Sequence, residues 1–239
     1  MSVPIVIENL TKYYGKFLAL DGLTLNVEPN ENIGLLGPNG AGKSTTLKIL
    51  TCLIKPSSGK ALINDVDVVQ KPEQALNCIG ALIETPEFYN YLTPRESLEY
   101  LGRLRGMKGQ ALKDRINEVI ALVKLDRWTN EKIGKFSRGM KQRLGLAQSI
   151  LHDPPILILD EPALGLDPRG VVEFRNIIEE VGKTKTVFFA SHQLDEVTRI
   201  CNRVAFIADG KLLLYETLDD VVNKSEPLEQ AYLQLPGAL

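Results

Sequence analysis

The sequence contains few of the residues that mark disulfide-bonded or metal-binding proteins. Its 239 residues include only three cysteines, Cys52, Cys78 and Cys201, which are far apart and form no CxxC pair. This spacing argues against a disulfide framework and predicts buried free thiols in a reducing compartment. Two histidines without paired cysteines likewise give no pattern for a transition-metal site.

Long apolar runs and a strong net charge are also absent. No run approaches the ~20 residues that a membrane-spanning helix needs. The first residues, Met1–Pro4, lack the basic and apolar regions of a signal peptide. We therefore expect any membrane-spanning part to come from another chain. The 28 basic and 30 acidic residues give a formal net charge of -2, which argues against nucleic acid as the main partner.

The composition is that of a chain able to build a sizeable core, with 44% hydrophobic and 24% charged residues. The first part, to about Leu82, reads as strand-rich, with strands predicted over Ile5–Glu8, Leu18–Val27 and Gly59–Asn64. From Ile156 onwards, strands and helices alternate again. We predict an α/β fold in which a mixed parallel sheet forms the core and an antiparallel β subdomain lies at the N-terminus.

A helical pattern occupies residues 86–152. Thr93-Pro94-Arg95-Glu96 predicts a capped helix start, with Leu98, Leu101 and Leu104 as the apolar face that follows. Two more helices carry apolar residues at steps of three and four: Leu112, Ile116, Val119 and Val123, then Met140, Leu144, Ala147 and Leu151. We predict one domain, residues 1–239, with a helical subdomain (86–152) inserted between core segments 1–85 and 153–216 and a short helical tail over 217–239.

The second half of the core carries its own strand and helix signals. The apolar runs Ile156–Leu159 and Thr186–Ala190 predict strands buried on both faces of a parallel sheet. Asp167-Pro168 predicts a helix start, and Ser191 is the predicted cap of the next helix. Asp209-Gly210 predicts a hairpin turn.

The most specific motif is a glycine-rich segment between the apolar run Ile33–Leu36 and a predicted helix. It comprises Gly37, Pro38, Asn39, Gly40, Ala41, Gly42, Lys43, Ser44 and Thr45. Glycines let successive backbone N–H groups point inward, and the helix adds its positive N-terminal end. The segment predicts a phosphate-binding loop in which Lys43 bridges the outer phosphates and Ser44 ligates Mg²⁺.

Two acids follow the buried strand Ile156–Leu159. Ligands bind beyond the carboxyl ends of strands in such sheets, so we predict that Asp160 holds Mg²⁺ through its water shell. Glu161 is the predicted base that orients and deprotonates the attacking water. The alternative is an ordinary strand end with solvated acids.

With these motifs the chain resembles, over essentially its whole length, the ATP-binding subunit of an ABC transporter. The resemblance matches the family's signature, commonly LSGGQ, to Ser137, Arg138, Gly139 and Met140, which would contact the γ-phosphate of an ATP held by a second subunit. Arg138 and Met140 depart from the commonest pattern. The alternative for the segment is a serine-capped helix.

The resemblance assigns four further residues. His192 matches the switch histidine that positions the catalytic water, and Asp167 belongs to a loop that crosses the dimer interface. Tyr14 matches the aromatic that stacks on adenine, although a core tyrosine remains the alternative. Glu84 replaces the family's usual glutamine and would be a metal ligand linking ATP to the transport subunit. In this replacement the chain resembles the subgroup of ABC exporters that protect bacteria against bacitracin and lantibiotic peptides.

The resemblance implies an Mg²⁺-dependent ATPase subunit, held at the cytoplasmic face of the membrane by a separate permease. ATP would close a homodimer, or a dimer with a related ATPase, and export is favoured. Three aromatics within Thr85–Leu92 either face the permease or pack under the helical subdomain. The alternatives are a non-transport ABC ATPase acting on ribosomes or DNA, and a module that binds ATP without hydrolysing it. The cargo would contact the permease rather than this chain.

Overall fold

The chain folds around two β-sheets. A computed structural model describes residues 3–29 and 31–223. The strands are β1 Ile5–Tyr14, β2 Phe17–Val27, β3 Asn32–Leu36, β4 Ser58–Ile63, β5 Val66–Asp67, β6 Ile79–Leu82, β7 Ile156–Asp160, β8 Thr186–Ser191, β9 Arg203–Ala208 and β10 Lys211–Thr217. The α-helices are α1 Lys43–Leu50, α2 Pro72–Asn77, α3 Pro94–Leu104, α4 Gly109–Leu122, α5 Arg138–Ile150, α6 Pro168–Gly182, α7 Leu194–Ile200 and α8 Leu218–Asn223.

The larger sheet is mixed and carries the core. Its order is β10-β9-β3-β8-β7-β6, in which only β10 runs antiparallel to its neighbour. The smaller sheet, β2-β1-β4-β5, is antiparallel throughout. This arrangement confirms the predicted α/β class, with a parallel-rich core and an N-terminal antiparallel part.

The central strands are apolar on both faces because both faces are covered. Ile156 and Ile158 of β7 pack in the core shared with the antiparallel sheet and α1. Leu157 and Leu159 point the other way, into the core formed with helices such as α5 and α6. A continuous apolar run is what a strand enclosed on both sides requires.

Helices α3, α4 and α5 fall within the segment predicted to be helical. The capping box is present, with Thr93 Oγ1 accepting from the Glu96 N–H at 3.2 Å and Glu96 Oε2 accepting from the Thr93 N–H at 2.7 Å. The predicted apolar face is wrong at Leu104, which is 68% exposed. Steps of three residues drift by about 60° each around a helix, so Leu104 points away from the face that Leu98 buries. The subdomain boundaries at residues 86 and 152 stay a prediction.

Three further differences come from features that periodicity does not show. Strand β1 continues to Tyr14, well beyond the predicted end at Glu8. The prediction ended too early because register shifts interrupt the alternation of apolar and polar residues along the strand. Helix α2 was missed, since six residues are too few to show a helical period. The tail prediction agrees with the structure at α8, and its remainder, residues 224–239, lies outside the described residues.

The cysteines are all free, but only Cys201 is buried, whereas Cys52 and Cys78 are half-buried. Burial raises the pKa of the Cys201 thiol. In residues 3–29 and 31–223, no helix has both the length and the apolar character needed to cross a membrane.

Helix α3 offers a matched test of this packing, because Leu98 is 0% exposed and Leu104 is 68% exposed. We expect Leu98→Ala to lower the free energy of unfolding by about 2–5 kcal/mol, the cost of a core cavity. Leu104→Ala makes the same chemical change on the surface and should change it by less than about 0.5 kcal/mol. Urea unfolding followed by circular dichroism measures both, and equal losses would contradict the packing described for α3.

Candidate functional site

The register of the parallel strands brings the predicted motifs to one edge of the sheet. Leu36 of β3 pairs with Ser191 of β8, Asp160 of β7 pairs with Ala190, and Leu82 of β6 pairs with Leu159. The segments that leave the carboxyl ends of these strands therefore start side by side. This edge is where open α/β sheets bind their ligands.

The glycine-rich segment forms a tight loop at this edge. Gly42 is the N-cap of α1 with a φ of 106°, a conformation that favours glycine. Gly37 lies so close to the Ile207 carbonyl that a side chain there would collide with it. No side chain caps α1 and no acid lies in its first turn, which leaves its positive end open to an anion.

A cavity of about 240 Å³ lies over this loop. It is lined by Tyr14, Phe17, Ala19, Pro38, Asn39, Gly40, Ala41, Gly42, Lys43, Ser44, Thr45 and Glu161. The structure thus brings together nearly all of the predicted phosphate-loop residues with the predicted aromatic and base. Gly37 is the exception, since it contributes a carbonyl below the cavity rather than part of its lining.

Lys43 is a buried cation at the centre of this cluster. Its Nζ donates to the carbonyls of Gly37 at 2.6 Å and Pro38 at 3.1 Å, and it lies 3.9 Å from Glu161 Oε1. Burial lowers the pKa of Lys43, and the negative charges of Glu161 and Asp160 oppose that shift. An ammonium group in such surroundings gains from any further anion placed over the loop.

Asp160 is buried beside the loop and is incompletely paired. The Ser44 hydroxyl lies near enough to this carboxylate to lower its pKa, whereas Oδ1 has no hydrogen-bond partner among the described residues. Burial raises the pKa of Asp160. No cluster of three or more His, Cys, Asp or Glu suited to a metal occurs in the described part of the chain. Mg²⁺ nevertheless fits, because it binds through one or two protein oxygens together with water and phosphate.

Glu161 lies between a cation and a histidine. Its Oε2 is 2.8 Å from His192 Nδ1, and its N–H donates to the Ala190 carbonyl at 2.9 Å. The φ of Glu161 is 45°, which is strained for a residue with a side chain. The hydrogen bond to Ala190 fixes the backbone of Glu161 to the neighbouring strand, and the contact with His192 holds its carboxylate. Glu161 and His192 thus form a pair at the mouth of the loop.

The predicted cap of α7 is wrong. Ser191 is the last residue of β8, Gln193 is the N-cap of α7, and no side chain caps it directly. The Ser191 hydroxyl accepts from the Gln193 N–H at 2.9 Å. The hydroxyl therefore satisfies the N–H of the N-cap residue from a position two residues before it.

Glu84 is exposed and ion-paired. Its Oε1 lies 2.6 Å from Lys48 Nζ of α1, and its side chain is 68% exposed. The hydrogen bond from Lys48 lowers the pKa of Glu84 and raises that of Lys48. Glu84 shares a cavity of about 230 Å³ with Ser44 and Asp160, among other residues. Sequence reasoning missed Lys48, for which a helical position facing the loop was the only available signal.

The signature segment starts α5. Ser137 is the N-cap and accepts from the Met140 N–H at 3.2 Å. The Arg138 guanidinium lies against Gly165, and a side chain there would require the guanidinium to move. Asp167 caps α6 by accepting from the Gly170 N–H at 2.8 Å.

Ser137, Arg138, Gly139 and Asp167 line a cavity of about 570 Å³ between α5 and α6, which also contains Lys124, Arg127, Arg143 and Arg169. Arg138 also lines the cavity of Glu84. Met140 is half-buried against the core on the same helix. The structure thus groups the signature with the Asp167 loop, and Arg138 connects this group to the cavity that Glu84 shares with Ser44 and Glu161.

Tyr14 is half-exposed at the mouth of the phosphate-loop cavity. Lys12 Nζ lies 5.2 Å from its ring centroid, and Phe17 is its partner across the β1–β2 hairpin. Phe17 is 63% exposed and lines the same cavity, whereas Tyr13 does not line it. Sequence reasoning missed Phe17, although its position directly after the Gly15-Lys16 turn was a usable signal.

Comparison with known proteins agrees with this geometry. The model of the ABC transporter family matches residues 20–164. The chain is 43% identical over 215 residues to the bacitracin transport ATP-binding protein BcrA of Bacillus licheniformis, covering 89% of this chain and 69% of that protein. It is 34% identical over 220 residues to the ABC transporter ATP-binding protein NatA of Bacillus subtilis (strain 168), covering 90% and 89%.

Solved structures give the same result. An ATP-binding subunit of an ABC transporter superposes with a TM-score of 0.86 at 28% identity, covering 96% of this chain and 98% of that one. The dimeric structure of a bacterial ABC transporter cassette superposes with a TM-score of 0.80 at 27% identity, covering 90% and 98%. The chain therefore belongs to the ABC transporter family, as one of its ATP-binding, ATP-hydrolysing subunits.

Proposed function

We propose that this subunit hydrolyses ATP at the edge of its parallel sheet and thereby drives export through a separate membrane permease. The observation that carries the proposal is the convergence of Lys43, Asp160, Glu161 and His192 beside an uncapped helix N-terminus. Export is supported by the similarity to BcrA, a protein named for bacitracin transport. The permease would hold the chain at the cytoplasmic face of the membrane.

The phosphate loop binds the triphosphate of ATP. Its backbone N–H groups and the N-terminus of α1 face the phosphates, and Lys43 exchanges the carbonyls of Gly37 and Pro38 for the outer phosphates. Tyr14 stacks on adenine, an interaction worth about 1–3 kcal/mol for aromatic–base pairs. Lys12 lies over the Tyr14 ring and Phe17 stands beside it. Together these residues bind both ends of the nucleotide.

Ser44 and Asp160 hold the Mg²⁺ of Mg-ATP. The unpartnered Oδ1 of Asp160 and the Ser44 hydroxyl are oxygen ligands of the kind that Mg²⁺ prefers. When bound there, the ion would offset the negative charge that develops on the phosphate during hydrolysis. Glu84 reaches the same cavity and acts as a further metal ligand once it releases Lys48.

Glu161 acts as the general base for the attacking water. Its Oε1 faces Lys43 and its Oε2 faces His192, so the carboxylate is held at the mouth of the loop. A positioned base of this kind contributes about 10²–10⁴-fold in rate. His192 fixes the orientation of Glu161 and reaches toward the γ-phosphate.

The complete site forms between two copies of the chain, or between this chain and a related ATPase. Ser137, Arg138, Gly139 and Met140 would contact the γ-phosphate of a nucleotide bound by the second copy, and the loop before Asp167 would cross the interface. A dimeric cassette among the similar structures supports this arrangement. ATP bound at the interface favours the closed state, because it binds that state better.

The aromatic loop after β6 is proposed to face the permease. Phe88 and Leu92 pack against the core, whereas Tyr89 and Tyr91 are exposed with ring centroids 5.6 Å apart. Phe88 thus follows the packing alternative, whereas the exposure of Tyr89 and Tyr91 supports the proposal that they contact the permease. Exposed aromatic residues are typical anchors of interfaces.

A role on ribosomes or DNA is not favoured. DNA-associated members carry a long coiled coil before the signature, whereas the helices preceding it here, α3 and α4, have 11 and 14 residues. These lengths leave no sustained heptad pattern that could build such an arm.

Replacement of the proposed base tests the ATPase mechanism. We expect Glu161→Gln to lower kcat by about 10²–10⁴-fold, because the amide cannot accept the proton of the attacking water. The variant should still dimerise in ATP, as measured by light scattering. Glu180→Gln, at an exposed acid of α6, is the control and should hydrolyse ATP at the normal rate. A wild-type rate for Glu161→Gln, or ATP hydrolysis by monomers at a concentration-independent specific rate, contradicts the proposal.

Replacement of Glu84 tests its role as a metal ligand. We expect Glu84→Ala to raise the Mg²⁺ concentration needed for half-maximal ATPase activity, because an oxygen ligand is lost. Glu87→Ala removes an exposed acid from the same loop and should leave the Mg²⁺ dependence unchanged. An unaltered Mg²⁺ titration for Glu84→Ala removes the ligand role and leaves the ion pair with Lys48 as the function of Glu84.

A further inference from the structure

Glu196 is a buried carboxylate that the hydrolysis mechanism does not use. It lies in the first turn of α7 and is only 7% exposed. Burial raises its pKa, and the hydrogen bond from Ser191 opposes that rise. Buried acids are rare unless they are paired, because removing a carboxyl group from water is costly. Its partner, Ser191, is 0% exposed and immediately precedes His192.

The two side chains form a relay that closes around His192. The Ser191 hydroxyl donates to Glu196 Oε2 at 2.8 Å and accepts from the Gln193 N–H at 2.9 Å. In an ordinary capping box, the third helical residue would accept directly from the N-cap N–H. Here the serine hydroxyl is inserted between Glu196 and the N-cap Gln193. The relay therefore fixes the backbone on both sides of the histidine.

The imidazole depends on that backbone for its position. His192 is exposed, and in the described part of the chain its ring has one hydrogen bond, to Glu161 Oε2 at 2.8 Å. A side chain anchored at one ring atom moves with its own Cα. Displacements of about 1 Å at a reacting group can cost 10²-fold in rate.

The other groups around Glu196 could not replace its carboxylate as the acceptor for the Ser191 hydroxyl. Arg175 of α6 is near enough to lower the pKa of Glu196, as is His192, whereas Glu161 raises it. The remaining neighbours are largely apolar and include Phe174 and Phe189, with a void of only about 10 Å³ between them. Loss of the carboxylate would therefore leave the Ser191 hydroxyl without its acceptor in an apolar environment.

We propose that Glu196 is a positioning residue for ATP hydrolysis: through Ser191 it holds the backbone across His192 and keeps the imidazole against Glu161. The inference rests on the proposed roles of Glu161 and His192. The proposed effect of Glu196 is on the chemical step rather than on nucleotide binding. The relay reaches the lining of the phosphate-loop cavity by one route, from His192 to Glu161.

Steady-state ATPase kinetics of the full chain test this role. We expect Glu196→Ala to lower kcat by about 10–100-fold with the KM for Mg-ATP unchanged. Glu196→Gln keeps an acceptor for Ser191 and should recover most of the rate. Asp195→Ala removes the exposed acid next to it in the same turn and should behave as wild type. If Glu196→Ala does not fold, Ser191→Ala breaks the same relay and should give the same kcat loss. A wild-type kcat for Glu196→Ala overturns the inference.

A double-mutant cycle separates positioning from general stabilisation. In a His192→Ala background, Glu196→Ala should cause no further loss of kcat, because the group it positions is already gone. Losses that multiply would show that Glu196 acts independently of His192 and would overturn the inference while leaving the proposed function intact. A wild-type kcat for His192→Ala alone would instead refute the proposed role of the histidine, and this inference with it.

Discussion

The main constraint on this structure is that charges of opposite sign lie at the edge of a sheet that is buried on both faces. Lys43 and Asp160 are both removed from water. Burial lowers the pKa of Lys43 and raises the pKa of Asp160, and both shifts favour the neutral form of the side chain. Glu161 lies 3.9 Å from the lysine and partly offsets its charge. Such a cluster is costly when it is incompletely paired, since desolvation of a charge outweighs a distant partner. The apolar runs of β3, β7 and β8 supply the packing that offsets this cost.

The incomplete pairing also indicates which charges a ligand of this site should carry. Lys43 is satisfied by carbonyls rather than by a carboxylate in close contact, and Asp160 keeps one oxygen without a partner among the described residues. A triphosphate and a divalent cation supply the two charges of opposite sign that these groups lack. In the proposed complex, binding of both would compensate the desolvation penalty of each group and so stabilise the folded, liganded state. In this structure, the carbonyls of Gly37 and Pro38 accept hydrogen bonds from the Lys43 ammonium group.

Sequence reasoning predicts those parts of this molecule whose information is local. The phosphate loop is contiguous, so spacing alone predicts Lys43 and Ser44, and unbroken apolar runs predict the buried strands. Contacts between distant segments are different. The pairing of Lys48 with Glu84 and that of Ser191 with Glu196 depend on how a helix and a loop meet in space. Leu104 was assigned to the wrong face because a three-residue period only approximates the helical one. The length of β1 was hidden by its bulges.

The same spatial dependence accounts for the arginine in the signature segment. The guanidinium of Arg138 occupies the space that a side chain at Gly165 would need, and Gly165 has a φ of 73°, which independently favours glycine. The absence of a side chain at Gly165 leaves room for the Arg138 guanidinium in the position that it takes here. Beside it, a methyl group added at Gly139 would only just reach the side chain of Leu166 in that loop, so the signature lies next to the loop at this residue as well. The two segments proposed to meet a second copy of the chain therefore lie side by side and line one cavity.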